Sequence, residues 1–121
     1  MNQARQTEVT QTSQPYLRVA DVAAVEMFPG VWRRTLLAGR GLMLVEFTLE
    51  AGASFPEHAH PHEQSGYVLS GALEMTIAGQ SRLLQPGMTY FVPGGTLHAA
   101  RAPERTVVVD AFSPPREEYR A

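Results

Sequence analysis

The chain has 121 residues, 44% of them apolar and 18% charged, with a formal net charge of −2. This is the profile of one globular domain, too short for two comfortable cores but long enough to bury roughly two thirds of its unfolded surface. The arginines are scattered without a basic stripe, so no nucleic-acid partner is expected; the absence of cysteine excludes disulfides and thiol chemistry, and the absence of lysine excludes a Schiff base.

Residues 1–14 are polar and rich in Gln and Thr, and read as a flexible arm without the apolar core of a secretory signal. No apolar stretch approaches the ~20 residues that span a bilayer. A cytoplasmic protein with no membrane partner is therefore expected. Tyr16–Phe28 is compatible with a short helix, a first strand or an extended arm, and the sequence leaves the choice open. Residues 1–30 are taken together as an arm and first strand, and 31–121 as the main domain. An arm of this kind beside an exposed sheet edge leads to the expectation of a strand-exchanged homodimer.

From Trp32 onward, short runs are punctuated by Gly and Pro, the pattern of an all-β protein. Leu42–Glu50 is the clearest strand, with Met43, Val45, Phe47 and Leu49 on one face and Glu46, Thr48 and Glu50 on the other. Gln64–Leu69 and Ala72–Ile77 follow, separated by Gly71. Ala78-Gly79-Gln80 forms a hairpin connection into Ser81–Leu84. Pro86-Gly87 precedes a strand over Met88–Val92, and Pro93-Gly94-Gly95 precedes another over Leu97–Ala100. Thr106–Phe112 is the last β-rich run, ended by Pro114-Pro115. Met43, Met75 and Met88 are assigned to core packing, and Phe28 and Trp32 to seating the arm. About eight short antiparallel strands without a long helix point to a jelly roll closing two sheets over a cavity.

The chemistry concentrates at Gly52-Ala-Ser-Phe-Pro-Glu-His58-Ala-His60-Pro-His-Glu-Gln64. On extended chain, residues i and i+2 point the same way, so His58 and His60 can reach one ion. Gln64 opens the next strand and is placed to add an oxygen donor from the same face. His98 follows the Pro93-Gly94-Gly95 turn, where a sheet-closing hairpin would bring it opposite the other three. Pro61 breaks the alternation and sets His62 outside the ligand group. Glu57 and Glu63 are candidates to orient the imidazoles.

These residues resemble the two motifs of the cupin superfamily. The first is matched by Gly52, His58, His60, Gln64 and Gly71, with Gln where the family usually has Glu. The second is matched by Gly87, Pro93, Gly95 and His98, with Ala102 where Asn is usual. The resemblance implies a double-stranded β-helix and one divalent transition metal held by His58, His60, Gln64 and His98. N and O donors suit Zn, Ni, Fe, Mn or Co without choosing among them. Three neutral imidazoles and a neutral amide leave the ion's charge uncompensated, which favours an anionic ligand and Lewis acidity.

The strings HAHPHEQSGYVLSG and DAFSPPREEY are similar to the small KdgF-type cupins of pectin and alginate breakdown. That resemblance implies a metal-dependent isomerase-type enzyme that opens 4,5-unsaturated monouronates to the linear 5-keto-4-deoxyuronate. It implies a small anionic substrate, a sugar acid, and active-site roles for Asp110, Phe112 and Arg116. Independently of the family, an acidic Asp110 on the inward face of the last strand is costly unless paired or functional. Arg116 is placed to hold a carboxylate, unless it pins the tail by pairing with Asp110. Tyr67 and Tyr90 are candidate substrate hydrogen-bonding residues. The competing readings are a metal-dependent dioxygenase, a polyketide-cyclase-like cupin, and a non-catalytic small-molecule-binding cupin.

Overall fold

The computed structural model describes residues 15–120, so the arm expected over residues 1–14 lies outside the described residues. The strands are β1 (Val25–Phe28), β2 (Val31–Ala38), β3 (Met43–Leu49), β4 (Ser54–His58) and β5 (Glu63–Ser70), followed by β6 (Leu73–Ile77), β7 (Gln80–Leu84), β8 (Thr89–Val92), β9 (His98–Arg101) and β10 (Thr106–Ser113). They form a six-stranded sheet in the order β1-β2-β3-β10-β5-β8 and a four-stranded sheet in the order β4-β9-β6-β7. The pairings are antiparallel. This is the expected all-β jelly-roll barrel, the double-stranded β-helix.

Period-2 alternation decides which faces meet. Met43, Val45, Phe47 and Leu49 of β3 are buried, as are Thr106, Val108, Asp110 and Phe112 of β10. Leu73 and Met75 of β6 close the core from the other sheet. The β6–β7 hairpin has a two-residue turn in which Ala78 and Gly79 both take positive φ (52° and 79°). That is the type I′ geometry whose twist matches the flanking strands. Of the three methionines assigned to the core, Met43 and Met75 are buried. Met88 instead precedes β8 and is exposed, its sulfur accepting the Gln85 amide at 3.3 Å.

The open segment Tyr16–Phe28 resolves into a 3₁₀ turn at Val19–Asp21 and strand β1, with Phe28 edge-on to Phe55 at 5.4 Å. Trp32 lies on an exposed position of β2. Strands β2 and β4 carry little strand signal in the sequence. Strand β4 contains Pro56 and lies at the edge of its sheet, where a missing backbone donor is tolerated. Strand β2 turns Arg33 and Thr35 inward because the C-terminal segment needs them. Arg33 Nη1 donates to Thr35 Oγ1 (2.8 Å) and to the Tyr119 carbonyl (2.9 Å). The Thr35 hydroxyl donates to the same carbonyl at 2.6 Å. These bonds seat the terminal 3₁₀ turn, Glu117–Tyr119, against the barrel.

Register across the six-stranded sheet lines up Tyr90, Gly66, Asp110 and Val45 in one transverse row. The next row holds Val92, Gln64, Phe112 and Met43. A Cβ on Gly66 would stand 2.0 Å from the Tyr90 ring. Only glycine lets that ring lie across β5 and carry its hydroxyl to β10. Gly66→Ala is therefore expected to lower stability by at least the ~1–3 kcal/mol of core overpacking, read as a drop in the denaturation midpoint. An unchanged midpoint would mean that the ring moves aside at no cost.

Candidate metal centre

His58 ends β4 and His98 begins β9, and the two are direct cross-strand partners with ring centroids 4.2 Å apart. His60 follows two residues after His58, and its carbonyl accepts the Gly95 amide at 2.8 Å. The turn of the second motif is thereby docked on the histidine loop of the first. Gln64 sits on β5 in the six-stranded sheet, so it faces the histidines from across the barrel. Sequence reasoning had reversed this arrangement. His98 lies beside His58 in one sheet, and Gln64 is the residue that comes from the other.

The candidate ligand atoms of His58, His60 and His98 lie within 4.8 Å of one another. Each Nδ1 is bonded to a main-chain carbonyl: Pro56 O at 2.9 Å for His58, His62 O at 3.1 Å for His60 and Thr96 O at 2.8 Å for His98. A carbonyl only accepts, so those bonds put the proton of His58 and His98 on Nδ1 and leave their Nε2 as lone pairs, whereas a neutral His60, with one proton, meets an oxygen acceptor from both ring nitrogens. Backbone carbonyls thus do the orienting expected of Glu57 and Glu63, both of which are exposed. Burial, reinforced by Arg116 and the other histidines, lowers the His60 pKa to about 4. Burial also lowers that of His98. Neutral imidazoles are what metal ligation requires.

Gln64 supplies the test of fit. Its Nε2 donates to Asp110 Oδ2 at 2.5 Å, so its Oε1 is the atom turned toward the histidines, 3.1 Å from His60 Nε2. When the His60 proton is on Nδ1, that contact brings two acceptors together. The buried Nε2 of His98 also has no hydrogen-bond partner. Acceptors converging without a donor are the donor set of a cation site, and three imidazole nitrogens plus an amide oxygen fit a divalent transition metal.

Asp110 is 1% exposed and accepts the Tyr90 hydroxyl on Oδ1 at 2.6 Å as well as the Gln64 amide on Oδ2. Burial pushes its carboxyl up to about 6, against the pull of those two hydrogen bonds. Burial and the neighbouring carboxylate raise the Tyr90 hydroxyl well above its ordinary value. The neutral amide at position 64 therefore does not leave the centre without negative charge, as its sequence suggested. A carboxylate stands directly behind it.

A small cavity of about 30 Å³ adjoins these groups, lined by His58, Gln64, Tyr90, His98, Asp110 and Arg116 among others. Phe112, 1% exposed, is both core and cavity wall. Arg116 stands over the Tyr119 ring (4.3 Å) and the Phe112 ring (5.5 Å). It donates to the Tyr119 hydroxyl at 2.9 Å and to Glu118 at 2.7 Å, while its buried Nε has no partner. The alternative Asp110–Arg116 pairing is thus not what holds either side chain. Tyr67 does not belong to the cavity. It is one residue out of phase with the inward Gly66 and Val68 and is 46% exposed on the outer face. His62 is half-buried beside His60, ring centroids 5.3 Å apart, without lining the cavity. Ala102, at the departure from the second motif, is fully buried, and its backbone pairs with Gly52 and Ala53. Sequence reasoning missed Tyr119, which is buried in the cavity wall beneath Arg116. Its place in the string DAFSPPREEY was the available signal.

The family model described as Cupin domain matches residues 45–112. The chain is 31% identical over 96 residues to the pectin degradation protein KdgF of Dickeya dadantii (strain 3937), covering 78% of this chain and 87% of that one. Among solved structures, KdgF from Halomonas sp. is 32% identical with a TM-score of 0.83, covering 88% of this chain and 98% of that chain. An RmlC-like cupin from Shewanella frigidimarina NCIMB 400 is 30% identical with a TM-score of 0.87, covering 91% and 99%. The polyketide cyclase RemF from Streptomyces resistomycificus shares the fold at 22% identity, with a TM-score of 0.77 over 85% of this chain and 81% of that one. No helix among the described residues is long and apolar enough to cross a membrane.

Proposed function

The chain belongs to the cupin domain family, and from that premise we propose that it is a metal-dependent enzyme opening 4,5-unsaturated monouronates to 5-keto-4-deoxyuronate. The observation that carries this reading is the meeting, in one cavity, of a cation donor set, a buried carboxylate and an arginine. A substrate with a carboxylate, a hemiacetal hydroxyl and an enol ether has a counterpart there for each group. Similarity to KdgF over most of the chain supports the same substrate class.

The reaction is an isomerisation. The hemiacetal C–O ring bond breaks as the anomeric hydroxyl loses its proton, leaving an aldehyde and an enol. The enol then gains a proton at C4 and loses one from oxygen to become the ketone. His58, His60, Gln64 and His98 would hold the divalent metal, which when bound supplies Lewis acidity toward the substrate oxygens. Arg116 orients the substrate carboxylate, its unpartnered Nε and the rim position of Glu118 leaving room for exchange of partners. Asp110 receives and returns the migrating proton. Its carboxyl, with a pKa of about 6, lies near neutral pH, where general acid–base catalysis is most effective. Phe112 walls the site, and Tyr90 holds the carboxyl of Asp110 in place.

The test is loss of the ultraviolet absorbance of the C4=C5 bond when metal-loaded protein meets an unsaturated galacturonate or guluronate monomer. No acceleration with metal verified as bound would remove the uronate reading and leave the metal centre. Arg116→Lys is expected to raise KM for the same substrate about 10- to 100-fold with a smaller change in kcat. An ammonium cannot reproduce the planar fork of donors, and a hydrogen bond to a charged group is worth about 1.5–3 kcal/mol. An unchanged KM would free Arg116 from the carboxylate role.

A further inference from the structure

We propose that Asp110 is a positioning residue for the metal centre, fixing which end of the Gln64 side chain faces the ion, and that this pairing is what selects glutamine at position 64. The inference rests on reading the histidine cluster as a metal centre and does not depend on the uronate reaction.

An amide side chain is nearly symmetric in shape but not in chemistry, since the oxygen can ligate a cation and the NH₂ group cannot. Nothing on Gln64 itself chooses between them. The choice is made from β10, because ionised Asp110 accepts on both oxygens and is met at Oδ2 by a donor. The NH₂ end is therefore drawn to Asp110 and Oε1 is left toward His60 Nε2. Asp110 is itself held from the far side. Tyr90, its ring laid across Gly66, donates to Oδ1 and reserves Oδ2 for Gln64. One chain of donors and acceptors thus runs from Tyr90 through Asp110 to the ligand oxygen.

The same geometry makes glutamate costly at position 64. Its carboxylate would meet the Asp110 carboxylate at the distance now spanned by the Gln64 hydrogen bond, 2.5 Å, with both groups buried. Two carboxylates that close cannot both stay ionised. Carboxylate and amide are instead divided between positions 64 and 110, with the amide inside and the carboxylate behind it.

This division has a mirror image. In Asp110→Asn alone, the new NH₂ group, directed away from the Tyr90 hydroxyl, confronts the Gln64 NH₂ and forces the amide to turn its nitrogen to the ion. In Gln64→Glu alone, the two carboxylates must take up a shared proton, which competes with the ion for the oxygens at position 64. In the double variant Gln64→Glu/Asp110→Asn, the amide oxygen at position 110 still accepts from Tyr90, and the NH₂ beside it donates to the carboxylate at position 64. A carboxylate oxygen at position 64 then faces the ion, as the amide oxygen does in the parent.

The experiment is a metal-affinity cycle on the four full-length proteins, using Zn²⁺ in competition with a chelator and the visible spectrum of the Co²⁺ forms. Each single variant is expected to bind about 10- to 100-fold more weakly, the range for residues that orient metal ligands. The double variant is expected to return to within about fivefold of the parent, with the parent's Co²⁺ band pattern. Circular dichroism of the metal-free proteins identifies any variant that has not folded, and the Co²⁺ spectrum of the parent and Asp110→Asn then carries the test, its change on substitution being the expected result. Additive losses in the double variant would overturn the pairing, as would a Gln64→Glu protein binding as well as the parent. If the parent binds neither ion, the metal centre and this proposal fall together. Failure confined to the double variant removes the pairing alone.

Discussion

His98→Ala is expected to abolish metal binding and reduce turnover of the unsaturated uronate by about a thousandfold or more. His98 is 2% exposed at the start of β9, and its Nε2 is a buried lone pair without a partner. Alanine leaves His58, His60 and Gln64, a set that no longer surrounds an ion. A metal acting as Lewis acid contributes several kcal/mol to a transition state, and each ~1.4 kcal/mol is tenfold in rate. The ring makes no contribution to the β4–β9 ladder itself, which is main-chain pairing, so the variant should keep the parent's β-sheet circular dichroism. Treating the parent with a chelator should produce the same loss, and restoring a divalent metal should reverse it. A variant that retains both metal content and rate would overturn the assignment of the centre.

Asp110→Asn is expected to reduce kcat about 100- to 10,000-fold when assayed with enough metal to saturate the variant, the range for a lost general acid or base. Saturation matters because the same substitution is expected to weaken metal binding through Gln64. The two effects separate in the double variant Gln64→Glu/Asp110→Asn, which should recover metal affinity yet stay slow, since position 110 still lacks a carboxylate. Recovery of full rate with the double variant would confine Asp110 to positioning. Full activity in metal-loaded Asp110→Asn would remove it from the chemistry altogether.

The legible part of this molecule was carried by short-range pattern. Met43, Val45, Phe47 and Leu49 announced their strand because alternation needs only neighbouring residues. His58, His60 and His98, with their glycines, announced the centre because the motif is read within two short windows. Strand β4 was not legible, since an edge strand containing Pro56 carries little alternation of its own. Strand β2 was obscured by Arg33 and Thr35, whose inward placement makes sense only once Tyr119 is packed against them. Tyr67 and Tyr90 are both tyrosines on short strands near the motifs. Which one meets the cavity depends on strand phase, and a one-residue difference sends a side chain to the opposite face.

By itself the sequence determined the class of fold and singled out the three histidines and the glutamine beside them, since turn chemistry, alternation and motif spacing are all properties of contiguous chain. The tertiary structure alone decided that Gln64 faces the histidines from the opposite sheet and that its amide is oriented by Asp110, 46 residues away. It also decided that Tyr90 reaches that carboxylate across Gly66. Those relations come from cross-strand register and from the matching of donors to acceptors at distant positions, which no local window of sequence contains.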